Sequence, residues 1–187
     1  MKILAFDLAT NTGVAFGGTS GVPIAMTYVL GDAGAKHGAR FTELLIVTRK
    51  LIKQFEPDVI VIEEAIAGGA VGDKNRVRLA MGLRAIVLSA AFVANITTHE
   101  LPVSTIRKHF IGQGNLPGEK AKQATVSRCE RLGWPVRNDN EADALAAWDY
   151  ARCRLVKTST LPPNGLFEHA NNRADPSAKS RANQHRG

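Results

Sequence analysis

The sequence predicts an α/β domain built on a mixed five-stranded sheet that is flanked by helices. Three short apolar runs lie close together near the start, separated by Gly-rich and polar turns. Two further apolar runs alternate with long stretches in which apolar residues recur at helical spacing. The order is therefore three strands, helix, strand, helix, strand and then helices, which implies antiparallel hairpins followed by parallel crossovers in one sheet.

The first strands form a meander. Ile3 to Phe6 is an apolar run typical of a buried strand, and Asp7 ends it. Small residues follow up to Gly13 and suit a tight turn. Residues 14–16 form the second strand, and Ile24 to Leu30 the third. Asp7 is therefore expected on a rigid strand end rather than on a loop.

The middle of the chain alternates helices and strands. A helix is predicted over 39–55, and Pro57 ends it. The most strand-like run, Val59 to Ile62, leads directly into Glu63 and Glu64. A small-residue loop over 65–72 precedes a helix over 73–94 and a strand over 96–101.

Three more helices are predicted over 103–110, 118–132 and 141–155, separated by Gly-containing breaks. From Lys157 the chain is rich in Pro, Ser, Asn and Arg and offers little to bury. We therefore expect one domain over 1–156 and a disordered basic tail over 157–187.

The composition limits the classes of partner and the compartment that are expected for this protein. The net charge of +7 and the pI near 9.7 favour a polyanionic partner, with nucleic acid before an anionic membrane. The longest apolar stretch is interrupted by Arg84 and Asn95, and its uninterrupted part is too short to cross a bilayer, so no membrane association is expected. The start shows no signal peptide, and the two isolated cysteines suit a reducing compartment, which predicts a cytoplasmic protein.

Three acidic residues form a candidate site. Asp7 and Glu63 end two Val/Ile-rich strands, and Asp143 lies at the start of the last helix. The ends of neighbouring parallel strands lie close together, and gathered carboxylates repel one another unless cations separate them. Mg²⁺ prefers oxygen ligands, and a pair of such ions can support phosphodiester hydrolysis. The pattern indicates a metal-dependent enzyme that acts on nucleic acid.

Each acid also has a structural interpretation. Asp7 could cap its turn, and Glu63 or Glu64 could be a solvated strand end. Asp143 could complete a capping box with Asn140 as the N-cap residue. The metal-site interpretation is favoured because the three positions and the basic charge agree with one another.

These residues resemble the RuvC family of Holliday-junction resolvases, in particular its short phage-type members. The resemblance lies in Asp7 with Thr10-x-Thr12-Gly13, in the strand end at Glu63, and in Glu141-Ala142-Asp143-Ala144-Leu145-Ala146. Leu79-x-x-Gly82-Leu83-Arg84 and Ile111-Gly112-Gln113-Gly114 add to it. The motifs run in the family's order from Met1 to about Arg154.

The resemblance implies an RNase H-like fold, a homodimer, and nicking of branched DNA such as the four-way junction. It implies Mg²⁺ as cofactor, with Mn²⁺ as a substitute, and Asp7, Glu63 and Asp143 as metal ligands. Asn140 occupies the family's fourth ligand position, where it offers a carbonyl oxygen without charge. Ile66 occupies a position that is aromatic in some members, so base stacking is not expected there, and an apolar wedge is left open as an alternative.

Basic residues complete the expected site. Lys108 and Lys120 flank the Gly112-Gln113-Gly114 turn and resemble the family's lysines near the scissile phosphate, so Lys120 is assigned a catalytic as well as a DNA-binding role. DNA-backbone contacts are also expected from three residues after the Glu63 loop: Lys74, Arg76 and Arg78. A solvated helix face is the alternative for each of them.

Other functions stay open at this point. A junction-binding protein with weak or no activity would fit Asn140 and the basic tail, and an RNase H-like nuclease could instead act on RNA or on a hybrid. An actin-like ATP-binding protein would share the phosphate-binding hairpin, but the chain is too short for two lobes.

Overall fold

The computed structural model describes residues 1–64 and 74–159, and this part of the chain contains five strands and five helices. They are, in order, β1 (Lys2–Asp7), β2 (Asn11–Gly18), β3 (Ile24–Val29), α1 (His37–Phe55), β4 (Val59–Glu63), α2 (Lys74–Val93), β5 (Thr97–Leu101), α3 (Val103–Ile111), α4 (Gly118–Arg131) and α5 (Asp139–Ser159). The predicted α/β class and every predicted strand and helix are confirmed.

The five strands form one mixed sheet in the order β3-β2-β1-β4-β5. The β1–β2 and β2–β3 pairs are antiparallel, whereas β1–β4 and β4–β5 are parallel. In the parallel pair at the centre, Phe6 lies opposite Ile62. Asp7 and Glu63, the next residue in each strand, therefore reach the same edge of the sheet.

The alternation of side chains along β1 and β4 divides the core into two layers. Leu4, Phe6, Ile60 and Ile62 pack with helices α1 and α2 on one face. The alternate residues of the same strands pack with α3, α4 and α5 on the other face: Ile3, Ala5, Val59 and Val61. By the same period of two, Asp7 and Glu63 belong to the face that α5 covers.

Helix α5 lies unusually close to β2 because two glycines face it. A Cβ atom on Gly13 would overlap the backbone of Asn140, and one on Gly17 would overlap the ring of Trp148. The Trp148 indole N–H donates to the Gly17 carbonyl oxygen at 3.2 Å, which ties the middle of the helix to the strand. The start of α5 is thereby held against the β1–β2 hairpin.

Both ends of helix α5 differ from the prediction. Helix α5 begins at Asp139 rather than Glu141, and it continues to Ser159, through the first three residues assigned to the tail. The predicted loop over 65–72 and the tail beyond Ser159 lie outside the described residues. Within the described part, we find no helix with the length and apolar character needed to cross a membrane.

Candidate active site

Three carboxylates meet at the edge of the sheet where β1 and β4 end. Burial raises the pKa of Asp7 to about 7, and the negative charge of Asp143 adds to this increase. Burial also raises the pKa of Glu63 well above its ordinary value, with further contributions from Asp7 and Asp143. The pKa of Asp143 is raised to about 6, again mainly by burial. The predicted convergence of the three acids is present in the fold.

The donor set fits a divalent cation. The three acids are each only partly exposed, and the negative charge of Asp143 disfavours ionisation of both Asp7 and Glu63. Carboxylate oxygens that are gathered and desolvated in this way are the ligands that Mg²⁺ prefers. A bound cation would replace the repulsion with attraction and return the acids to their ionised form.

Two cations of the chain face the acids. The guanidinium of Arg107 on α3 lowers the pKa values of all three carboxyls and so opposes the effect of burial. Lys122 on α4 acts in the same direction on Asp7 and Asp143. Neither residue was selected from the sequence. Arg107 follows the buried Ile106 and precedes the buried Phe110 by three residues, so helical spacing alone would have indicated that it borders the covered face.

Lys122, rather than Lys120, forms the ion pair beside the acids. Its Nζ lies 2.5 Å from Oδ2 of Asp139, and this contact lowers the pKa of Asp139 and raises that of Lys122. Lys120 is exposed two residues earlier on the same helix, and Lys108 is exposed on α3 next to Arg107. Asp139 also raises the pKa values of Asp7 and Asp143, so its charge contributes to the acidic cluster.

The capping-box interpretation of Asp143 is wrong. The N-cap residue of α5 is Asn138, whose Oδ1 accepts from the backbone N–H of Glu141 at 3.0 Å. Asn140 therefore lies inside the first turn of the helix, one turn before Asp143 and on the same side of it. Because a cap is already supplied, neither Asn140 nor Asp143 is needed for that role.

Glu141 has a structural role. Its side chain is only 1% exposed and accepts from the backbone N–H of Arg137 at 2.8 Å and from the Arg137 Nε at 2.9 Å. An ion pair with the Arg137 Nη2 at 2.7 Å completes the set. Glu141 thus fixes the turn before α5 and is occupied by protein partners.

The end of β4 is held from two sides. Arg84 on α2 donates to the backbone carbonyl oxygen of Glu63 at 3.2 Å and forms an ion pair with Glu100 on β5. The backbone N–H of Glu64 donates to the Leu101 carbonyl oxygen at 2.8 Å. These contacts orient the strand end that carries the Glu63 side chain.

The three expected DNA contacts after the Glu63 loop lie on the exposed first turns of α2: Lys74, Arg76 and Arg78. All three residues are exposed at the surface of the domain. Ile66, at which no base stacking is expected, lies outside the described residues.

No family model matches the chain. Comparison with known proteins does find a relative by sequence and several by structure. The chain is 29% identical over 129 residues to a crossover junction endodeoxyribonuclease RuvC of Corynebacterium diphtheriae, a match that covers 69% of this chain and 77% of the relative. This relative carries the enzyme class that the sequence motifs predicted.

Solved structures share the fold. The structure of Thermus thermophilus RuvC matches with a TM-score of 0.64 at 20% identity, covering 84% of this chain and 98% of that one. The same protein in complex with a Holliday junction substrate matches at 0.64 and 19% identity over 82% and 96% of the two chains. The yeast mitochondrial Holliday junction resolvase Ydc2 matches at 0.59 and 13% over 83% and 80%.

The mixed sheet and the acids at its edge define an α/β protein of the RNase H-like class, as predicted. The sequence likeness to the RuvC relative agrees with the RuvC resemblance inferred from the motifs, while the phage-type assignment stays a prediction.

Proposed function

We propose that this protein is a Mg²⁺-dependent endonuclease that nicks four-way DNA junctions and related branched DNA. The observation that carries the proposal is the convergence of Asp7, Glu63 and Asp143, three desolvated carboxylates whose pKa values are all raised. The RuvC relative and the RuvC structure with a junction substrate support the choice of substrate.

The three acids would hold the metal through their carboxylate oxygens, and the Asn140 side chain would add a neutral oxygen one helical turn from Asp143. When bound, a pair of divalent ions stabilises both the attacking and the leaving oxygen of an in-line phosphodiester displacement. The protein contributes rigid placement, because two acids end paired strands and the third lies on a helix held against Gly13.

Arg107 and Lys122 are proposed to keep the acids ionised and to attract the DNA backbone. Both lower the pKa values of Asp7 and Asp143. The Lys122 side chain is 45% exposed, so its amine can reach a phosphate while it remains beside Asp139. Lys120 remains a candidate for the same contact, from a more exposed position.

Binding is proposed to depend on phosphate contacts made by two copies of the chain. The net charge of +7 and the exposed basic side chains on α2, α3 and α4 support this view: Lys74, Arg76, Arg78, Lys108 and Lys120. Counterion release would make affinity fall steeply with salt. A cytoplasmic location is proposed on the free thiols of Cys129 and Cys153.

The test compares four end-labelled substrates side by side: four-way junction, linear duplex, RNA–DNA hybrid and RNA. We expect nicks in the junction with Mg²⁺ or Mn²⁺ and none with a chelator. Tight junction binding without nicks under every metal condition would instead identify a binding protein. Preferential cleavage of RNA or hybrid would overturn the proposed substrate.

A further inference from the structure

A second group of metal-ligating side chains lies between α3 and α5, apart from the carboxylate site. The ligand atoms of His109, Asp149 and Cys153 all lie within 4.8 Å of one another. His109 Nε2 lies 2.9 Å from Asp149 Oδ2. Asp149 and Cys153 are four residues apart on α5, so they share one face of the helix, and His109 approaches from α3.

From this arrangement we propose that His109, Asp149 and Cys153 bind one zinc-class divalent transition metal. Nitrogen, oxygen and thiolate sulfur together are a zinc-type set, whereas Mg²⁺ selects oxygen alone. A thiolate and a carboxylate with neutral imidazole would balance the two positive charges of the ion. Three protein ligands leave the fourth tetrahedral position to water or a further donor.

The carboxylate already has the partner that a metal ligand needs. Asp149 Oδ1 accepts from Arg152 Nη2 at 2.6 Å, which leaves Oδ2 facing His109. Ligating carboxylates are commonly oriented by such an outer hydrogen bond. Asp149 is buried, while the His109 side chain is 30% exposed, so the group borders the solvent from which an ion would enter.

The two sites are separate on the helix. Asp149 lies six residues after Asp143, which corresponds to about 9 Å along α5. A metal at His109 would join α3 to α5 and so steady the helix that carries Arg107. Binding displaces the thiol proton of Cys153 and any proton on His109 to solvent, with no change in oxidation state.

The experiment uses Co²⁺ as a spectroscopic probe in the full-length, reduced and chelator-treated protein, with Mg²⁺ in excess to occupy hard-oxygen sites. We expect a thiolate-to-cobalt charge-transfer band that saturates at one equivalent per chain. The Cys153→Ser variant should lose the band, and His109→Gln should weaken Co²⁺ binding at least about tenfold. Cys129→Ala is the matched control and should keep it, because the Cys129 thiol is fully buried and burial raises its pKa to about 12.

A second measurement needs no variant. Zn²⁺ should slow alkylation of Cys153 in the unmodified protein at least about tenfold, as mapped by mass spectrometry. The absence of both the band and the protection would overturn the proposal and leave His109 and Asp149 as an ordinary hydrogen-bonded pair. A band that survives Cys153→Ser would overturn it as well. Neither result depends on whether the protein cleaves DNA.

Discussion

Two acids of helix α5, only two residues apart, have opposite surroundings. Glu141 is almost fully buried and is bound by the backbone and side chain of Arg137. The negative charge of Asp143 raises the pKa values of Asp7 and Glu63, and Arg107 and Lys122 lower the pKa of Asp143 against the larger effect of burial. A carboxylate that stabilises a fold is paired by the protein, whereas one that serves a ligand is left among like charges.

The unpaired acids affect both the stability of the metal-free protein and its affinity for a cation. Burial without a partner disfavours the charged form, so the three acids destabilise the metal-free protein at neutral pH. The same desolvation strengthens their attraction for a cation. Substitution of Glu141 should therefore lower the stability of the fold, whereas substitution of an acid in the three-acid cluster should lower the activity.

The largest expected effect is on cleavage. Asp7→Asn, Glu63→Gln and Asp143→Asn should each abolish junction nicking, because losing a metal ligand removes several kcal/mol of transition-state stabilisation, about a thousandfold or more in rate. Single-turnover nicking at saturating protein measures this. Junction binding and the circular dichroism spectrum should stay close to those of the original chain. Full activity of Glu63→Gln would remove that residue from the site.

Glu141 should show the opposite behaviour. Glu141→Ala leaves the Arg137 backbone N–H and guanidinium without their buried acceptor and should lower the free energy of unfolding by about 2–3 kcal/mol. Urea denaturation measures the change. Below its unfolding transition, the variant should still nick the junction at a rate within about threefold of the original. Equal loss of activity in folded Glu141→Ala and Asp143→Asn would contradict the separation.

The stability of the metal-free protein should depend on pH in a defined direction. The pKa of Asp7 rises from 3.8 in the unfolded chain to about 7 in the fold, so the unfolded state ionises first. The contribution of Asp7 to the free energy of unfolding therefore decreases as the pH rises from about 4 to about 7. Asp7→Asn should flatten this slope and raise stability at pH 7 by on the order of a few kcal/mol.

Mg²⁺ gives the complementary result. Since the ion binds the ionised acids, it should raise the melting temperature more at about pH 8 than at about pH 5.5. Differential scanning fluorimetry of the original chain and of Asp7→Asn, with and without Mg²⁺ at each pH, measures both the pH dependence of stability and the Mg²⁺ shift. A Mg²⁺ shift of the same size in Asp7→Asn would show that the ion acts elsewhere.

The smallest expected effect distinguishes two lysines. Lys122→Ala removes a cation that lowers the pKa values of Asp7 and Asp143, so nicking should slow about threefold to tenfold and its pH profile should move to higher pH. Lys122→Arg should restore the profile. Lys120→Ala should leave the profile in place, and an alkaline shift in that variant instead would return the assignment to Lys120.

The sequence was informative where a strong local pattern coincides with the tertiary contact. Uninterrupted apolar runs that stop at Asp7 and Glu63 indicated two strand ends, and parallel pairing then brings them together without further information. The period of two along β1 and β4 also determines which face receives both acids.

The features of the site that the sequence did not predict depend on contacts between elements that are distant in the chain. The start of α5 was placed two residues late because Asn138, rather than Asn140, supplies the cap, and both residues are suitable types. Lys122 was missed because only the packing of α4 against α5 shows which lysine faces Asp139. Arg84 was noted as part of a motif, but its contact with the Glu63 carbonyl oxygen joins residues 21 apart in the chain.

Binding of Mn²⁺ to the cluster tests the central claim most directly. The electron paramagnetic resonance signal of free Mn²⁺ reports how much of the ion the protein retains, in the absence of DNA and at about pH 8. The original chain and Cys153→Ser should retain Mn²⁺ equally, while Asp7→Asn and Asp143→Asn should bind it at least about tenfold more weakly, the effect of losing one charged ligand. Equal retention by the original chain and both Asp variants would show that the three acids are not a metal site.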